Sequence, residues 1–214
     1  MDEHHILLIY LSLAWLVYFG VHSLLASAAS KDWVARHWPR LRPGYRLGYN
    51  LLALVLLGVP LWLFLQYPGP LLWSWSGGWA WLANGLALLA LLGFLHSSRA
   101  YDNLDFLGLR QWQERQTSPT RFRLSFWHRF VRHPWYSFGL VILWTRDMNA
   151  AGLVSALWIT AYLVAGSHLE ERKLVRELGE VYERYRTRVP GLVPRPWRYL
   201  SREQARQLVE EGDQ

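Results

Sequence analysis

Residues 47–98 read LGYNLLALVLLGVPLWLFLQYPGPLLWSWSGGWAWLANGLALLALLGFLHSS and hold no Asp, Glu, Lys or Arg. About 20 apolar residues carry a helix across the hydrocarbon core of a bilayer. This stretch is therefore long enough for two crossings, at about 47–66 and 78–97. Residues 4–30 and 148–169 are equally free of those four residue types. They add a first span at about 6–29 and a last one at about 150–168. A shorter apolar run, from Pro134 to about Thr145, ends at Arg146-Asp147. With the last span it reads as a helical hairpin with a tight turn at 146–149. The expected fold class is all-α: a polytopic integral membrane helical bundle of about five transmembrane helices, with a C-terminal cytoplasmic amphipathic helix.

The composition of the 214-residue chain agrees. Hydrophobic residues make up 52% and charged residues only 18%, and the charges are clustered. A soluble globular enzyme does not fit this pattern. The absence of Cys excludes a disulfide scaffold, a thiolate metal site and a Cys nucleophile. The net charge of +7 is first a statement about topology, not about nucleic acid. The 30–46 loop carries Lys31, Arg36, Arg40, Arg42 and Arg46 against Asp32 alone. The 66–77 loop has no charge. The 99–133 segment has seven Arg against three acids, and the tail after 169 has ten basic residues. Heavy and light loops alternate. The positive-inside rule then predicts N-terminus out, five crossings and C-terminus in, with the bacterial inner membrane as the expected location. The acidic start and full-length apolar run predict a retained helix, not a cleaved signal. Trp62, Trp73, Trp75, Trp79 and Trp81 flank the uncharged outer loop, as interfacial anchors do.

Two charged segments carry chemistry. Arg132-His133-Pro134-Trp135-Tyr136 opens the hairpin. Pro134 suits the first position of a helix, so Arg132 and His133 flank a helix N-terminus. That is either a basic flank for headgroups or a site for a carboxylate or phosphate. The tail reads HLEERKLVRELGEVYERYRTRVPGLVPRPW over 168–197. Leu174, Leu178, Val181, Tyr182 and Tyr185 recur at helical spacing, which predicts an amphipathic helix of about five turns ending near Val189-Pro190. It is a membrane-surface helix or the wall of a site. Glu171 lies on its apolar side, which is costly unless the carboxylate is paired.

Together the two segments resemble the isoprenylcysteine carboxyl methyltransferase family of integral membrane methyltransferases. The residues that match are Arg132, His133, Pro134 and Tyr136, then Glu170, Glu171, Leu174, Gly179, Tyr182, Tyr185, Val189, Pro190 and Pro194. The likeness covers about 130–195. Within the family, Asp105–Gln111 and the 144–160 stretch look like the bacterial methanethiol S-methyltransferase branch. His22–Ser27 and Tyr45–Asn50 look like bacterial relatives grouped with a denitrification-associated membrane protein. The resemblance implies S-adenosylmethionine as methyl donor and a small apolar or lipidic acceptor, a thiol by the branch likeness. It implies a cofactor site formed by Arg132, His133, Tyr136, Glu171, Tyr182, Tyr185 and Pro190. Arg132 and His133 would hold the carboxylate, Glu171 the ammonium or ribose, and Tyr182 or Tyr185 the adenine. Val189, Pro190 and Leu192 would form an apolar lid. Arg132, His168 and Glu170 are the candidates to act in the transfer itself. The expected division of the chain is an N-terminal three-helix membrane region at 1–98 and a methyltransferase core at 99–214.

Other residues have plainer expectations. His22 and His96 near helix ends are polar caps or channel residues, or else ligands of a haem. A haem- or quinone-linked protein and a non-catalytic assembly factor are thus the alternative functions. His4 and His5 read as surface histidines, and no metal site is expected. Asn50 and Asn84 inside apolar runs suggest interhelical hydrogen bonds. Asp102, Asp105 and Glu114 suggest loop ion pairs. The Arg-rich 110–132 segment, with Phe122, Phe126 and Trp127, suggests contact with membrane lipid, not nucleic acid.

Overall fold

In the computed structural model, residues 3–99, 103–114 and 122–212 are described. Asp102 and the side chain of Glu114 lie outside them. The elements in chain order are α1 (Glu3–Ala26), α2 (Ala28–His37), α3 (Tyr45–Gln66), β1 (Leu71–Trp73), α4 (Gly77–Ser98), α5 (Asn103–Leu107), α6 (Leu109–Glu114), α7 (Pro134–Trp144), β2 (Met148–Asn149), α8 (Ala150–Leu178), α9 (Glu180–Arg188) and α10 (Arg202–Gly212). The protein is an all-α integral membrane bundle. Among the described residues, four helical stretches are long and apolar enough to cross a bilayer: Glu3–Ala26, Pro39–Gln66, Gly77–Ser98 and Ala150–Leu178. The fifth apolar helix, α7, has 11 residues. Leu54 and Val55 on α3 and Leu89 on α4 are about two-thirds or more exposed. In a soluble fold such side chains would be a liability, whereas on a spanning helix lipid covers them.

Two compact units divide the chain. The first holds Met1–Ser74, Asp102–Thr117 and Asp147–Ile159. Here α1 packs on α3, with Leu11, Trp15 and Ala151 buried at the centre. The Trp15 indole donates to Ser155 Oγ at 3.0 Å, so its one polar atom is satisfied. Asn50 Nδ2 donates to the carbonyls of Leu107 at 2.9 Å and Phe106 at 3.2 Å, an interhelical tie of the expected kind. Gly108 makes that turn possible. Its φ is +88°, and an added Cβ would stand 2.6 Å from the Leu47 amide nitrogen. Arg46 reaches Asp105 at 3.5 Å. The turn read as tight at 146–149 is different in kind. Residues 148–149 form β2, antiparallel to β1, and Asn149 Oδ1 accepts the Gly152 N–H at 2.7 Å to start α8.

The second unit holds Trp75–Tyr101, Ser118–Arg146 and Thr160–Gln214. Its α4 and α7 pack closely because Gly93 leaves room for the Phe138 ring. Arg146, after α7, donates to Asn84 Oδ1 at 3.0 Å and to the Ala83 carbonyl at 3.4 Å. The tail departs from the sequence expectation in one respect. The amphipathic stripe is not a separate helix after a span that ends at 168. α8 runs unbroken to Leu178, since nothing before that point breaks a helix. Gly179, with φ +61°, then redirects the chain into α9. Tyr182, Tyr185 and Val189 meet Phe122, Leu200, Ala205 and Leu208 in a small core that α10 closes.

Candidate active site

The site lies in the second unit, where α7 begins and α8 leaves its apolar stretch. Pro134 occupies the first turn of α7, and His133 precedes it without a side-chain cap bond to the helix. Arg132 and His133 hydrogen-bond through their backbone N–H groups to the chain after α9. The Arg132 N–H donates to Pro190 O at 2.9 Å, and the His133 N–H donates to Gly191 O at 3.1 Å. Ser137, one turn into α7, donates its hydroxyl to Leu192 O at 2.6 Å. Three consecutive carbonyls of the 190–192 segment are thus fixed on the start of α7.

The side chains then converge. Arg132 Nε and Nη2 reach one oxygen, Oε1 of Glu171, at 2.9 and 2.7 Å. Arg132 Nη1 donates to Arg186 O at 2.9 Å and to Val189 O. His133 Nε2 meets the same Glu171 oxygen at 3.0 Å, while its Nδ1 lies 3.4 Å from Glu170 Oε2. Tyr136 donates to that Glu170 oxygen at 3.2 Å, and its ring stacks on the His133 imidazole at 5.3 Å. The side chains of Arg132, His133 and Glu171 are at most 12% exposed, whereas that of Glu170 is 47% exposed. One carboxylate is therefore internal and committed, and the other is presented to the outside.

The electrostatics follow. Burial alone would lower the His133 pKa, but its two glutamate partners outweigh burial and raise it. His133 is clasped by two carboxylates, which favour its charged form. His128 is the converse case. It is buried, and burial with the nearby positive His133 pushes its pKa down to about 4. Its Nδ1 accepts the Ser125 N–H at 3.2 Å. Tyr182 is pushed above the usual phenol range by burial and then by the Glu171 charge.

Among the expected site residues, Arg132, His133, Tyr136, Glu170 and Glu171 come together, and Pro190 joins them through its carbonyl. Arg132 was expected to hold a ligand carboxylate; four of its five N–H groups go to Glu171 and two backbone carbonyls. Tyr182 and Tyr185 face the small apolar core, and the Tyr185 hydroxyl donates to His128 O at 2.7 Å. Their rings pack edge-on to Phe122, because a half-buried amphipathic face needs apolar cover. His168 is exposed, and its Nδ1 donates to Val164 O at 2.7 Å. The two histidines considered for haem have other neighbours: the Tyr49 hydroxyl lies 2.6 Å from His22 Nε2, and His96 accepts from the Trp127 indole at 2.9 Å. Sequence reasoning missed Ser137 and His128. Ser137 had a signal, a hydroxyl at His133 plus four on an otherwise apolar helix. His128 had none, since its burial comes from segments distant in the chain.

Among the known proteins to which this chain is similar, three share one description. Methanethiol S-methyltransferase 2 of Bradyrhizobium diazoefficiens is 37% identical over 179 residues, which cover 81% of this chain and 68% of that one. A methanethiol S-methyltransferase of a Pseudomonas species is 34% identical over 189 residues, covering 81% and 68%. One from Mycobacterium tuberculosis is 32% identical over 196 residues, covering 86% and 78%. No family model matches the chain, and no solved structure matches it.

Proposed function

Because this chain belongs to the isoprenylcysteine carboxyl methyltransferase family, we propose that it moves a methyl group from S-adenosylmethionine to a small apolar thiol. Methanethiol is the first acceptor to test, by its similarity to enzymes of that name. The observation that carries the reading is the Arg132–Glu171–His133–Glu170 cluster, assembled from both segments of the family motif.

The residues present fit such a donor on its cationic side. Glu170 is the exposed member of the cluster, and its carboxylate has lone pairs beyond the two donors it already accepts. It is the natural partner for an ammonium. The amino end of α7, with its uncapped first turn, favours a carboxylate. Arg132 and Glu171 are positioning residues in this reading: they hold His133, and His133 holds Glu170. Bound there, S-adenosylmethionine supplies an electrophilic sulfonium methyl. The protein's share is alignment and exclusion of water.

The acceptor sulfur reacts as thiolate, so its proton needs a destination. His168 is the proposed base. With Nδ1–H donated to Val164 O, the neutral ring carries its lone pair on Nε2. An apolar acceptor reaches a membrane-embedded enzyme through the bilayer, and each buried methylene adds roughly 0.8 kcal/mol to its binding. The loop charges support the site on the cytoplasmic side. A reporter after Gly212 is expected to be cytoplasmic, and one near Gly69 external.

The deciding experiment has two arms. Calorimetry with S-adenosylhomocysteine in detergent tests the donor site. Headspace detection of dimethyl sulfide from methanethiol and S-adenosylmethionine tests the acceptor. Binding without product would overturn the thiol while leaving the donor. Failure of both arms would overturn the reading and favour a non-catalytic membrane role.

A further inference from the structure

The backbone that closes the cluster runs on into a surface segment of unusual make-up, Val193-Pro194-Arg195-Pro196-Trp197-Arg198-Tyr199. Trp197 is 76% exposed, Val193 71% and Tyr199 53%. All three lie outside the helices and outside the apolar spans. Large exposed apolar groups on a spanning helix face lipid tails, but that does not account for these.

The segment is held firmly at both ends. Leu192 O accepts from Ser137, as described above. Leu200 is fully buried. Its N–H donates to Arg129 O at 2.9 Å, and its carbonyl accepts from Arg129 Nε at 3.0 Å. Between these anchors Arg198 N–H donates to Arg195 O at 3.0 Å, closing a tight turn with Pro196 and Trp197 at its centre. The Tyr199 ring stacks on Phe130, over which the Arg129 guanidinium also lies. The tryptophan is thus carried on a rigid turn, and little conformational entropy opposes its insertion into another phase.

Charge and level complete the argument. Arg184, Arg186 and Arg206 each pair with a glutamate. Among the described residues, no acidic side chain pairs with Arg195, Arg198 or Arg202. The apolar stretch of α8 ends at about His168, one turn before Glu171, and α7 starts at Pro134. Segment 190–192 is bonded at that boundary, so residues 193–199 emerge beside the headgroup zone. Tryptophan favours that zone, and each nearby arginine gains attraction from anionic lipid.

We propose that residues 193–199 form an interfacial anchor that seats on anionic phospholipid, with Trp197 inserted and Arg195, Arg198 and Arg202 facing the phosphates. The inference does not depend on the chemistry of methyl transfer.

The chain has no Cys, so one introduced thiol carries one label. Trp197→Cys, labelled with an environment-sensitive fluorophore, is placed in lipid nanodiscs beside Gln207→Cys on the exposed side of α10. Val193→Cys, which keeps Trp197, repeats the measurement with the anchor intact. Labels at 193 and 197 are expected to show blue-shifted emission and quenching by lipids brominated in the acyl chain, with no such effect at 207. Adding phosphatidylglycerol to phosphatidylcholine is expected to strengthen the effect. Arg195→Gln and Arg202→Gln should each weaken that preference about fivefold. Water-like emission at both 193 and 197 would overturn the anchor. Equal quenching in the two lipid mixtures would overturn its anionic specificity. A shift seen in crude membranes but not in defined discs would overturn it in favour of a protein partner.

Discussion

Arg132 and Glu171, 39 residues apart in the chain, meet at a single carboxylate oxygen that takes two guanidinium N–H groups. His133 shares the same oxygen. Arg132→Ala leaves a buried carboxylate short of its cation and removes the donor that serves Arg186 O and Val189 O. Breaking such a buried pair costs about 3–5 kcal/mol. A large fall in Tm is expected, measured by thermal unfolding in detergent. Arg132→Lys should recover little, because a point ammonium cannot reproduce the fork. An unchanged Tm for the alanine variant would show that the pair does not hold the site together.

Glu170→Gln separates binding from stability. That side chain is about half exposed, so its ion pair adds at most ~1 kcal/mol to folding. A charged hydrogen bond to a ligand is worth ~1.5–3 kcal/mol. Calorimetry should therefore show S-adenosylhomocysteine binding weakened by ten-fold or more, with Tm nearly constant. Equal affinity would remove Glu170 from the donor site.

The two buried histidines set opposite pH limits. His133 has a raised pKa, so the stability it adds is fully present below about pH 6.5 and is lost as pH rises through the raised value. His128 is depressed to about 4, so its contribution is present above about pH 6.5 and declines as pH falls from there toward 4. Tm measured from about pH 4 to about pH 9 should fall on both sides of a maximum. His128→Gln should flatten the acid side and leave the alkaline side alone. A profile with an unchanged acid side would contradict the burial of His128 in its neutral form.

Gly93→Ala probes the α4–α7 contact. The new Cβ would stand 2.5 Å from Cζ of Phe138. Overpacking of this kind costs about 1–3 kcal/mol. Phe138→Leu in the same chain should recover most of that loss by removing the ring edge. If the double variant is no more stable than Gly93→Ala, the contact is not the cause.

The spans were legible because charge-free runs of bilayer length leave few alternatives: α3 and α4 fall within two residues of the boundaries read from 47–98. The cluster was legible as well, since Glu171 on an apolar face demands a partner and Arg132-His133 offered one. What stayed hidden depended on distant chain. Nothing local says that four of the five Arg132 N–H groups are taken, because two of its acceptors are backbone carbonyls of residues 186 and 189. Tyr182 and Tyr185 read as ligand-facing because a tyrosine stripe looks the same whether it covers a cofactor or a core. Here both rings pack with Phe122 and with Ala205 and Leu208 of α10. β1 and β2 are too short for any periodicity to announce them.

Arg146 bears on the membrane itself. Its partner Asn84 lies seven residues into α4, a rise of about 10 Å from the start of that helix. α7, which leads to Arg146, rises only about 16 Å, roughly half of a 30 Å hydrocarbon layer. A guanidinium at that depth keeps water with it or draws headgroups inward, because an isolated charge in hydrocarbon is expensive. A dimple of the bilayer beside α7 is therefore expected. Such a dimple costs least in a thin membrane, so short-chain lipids should gather around this helix, and long-chain or stiffened bilayers should strain it.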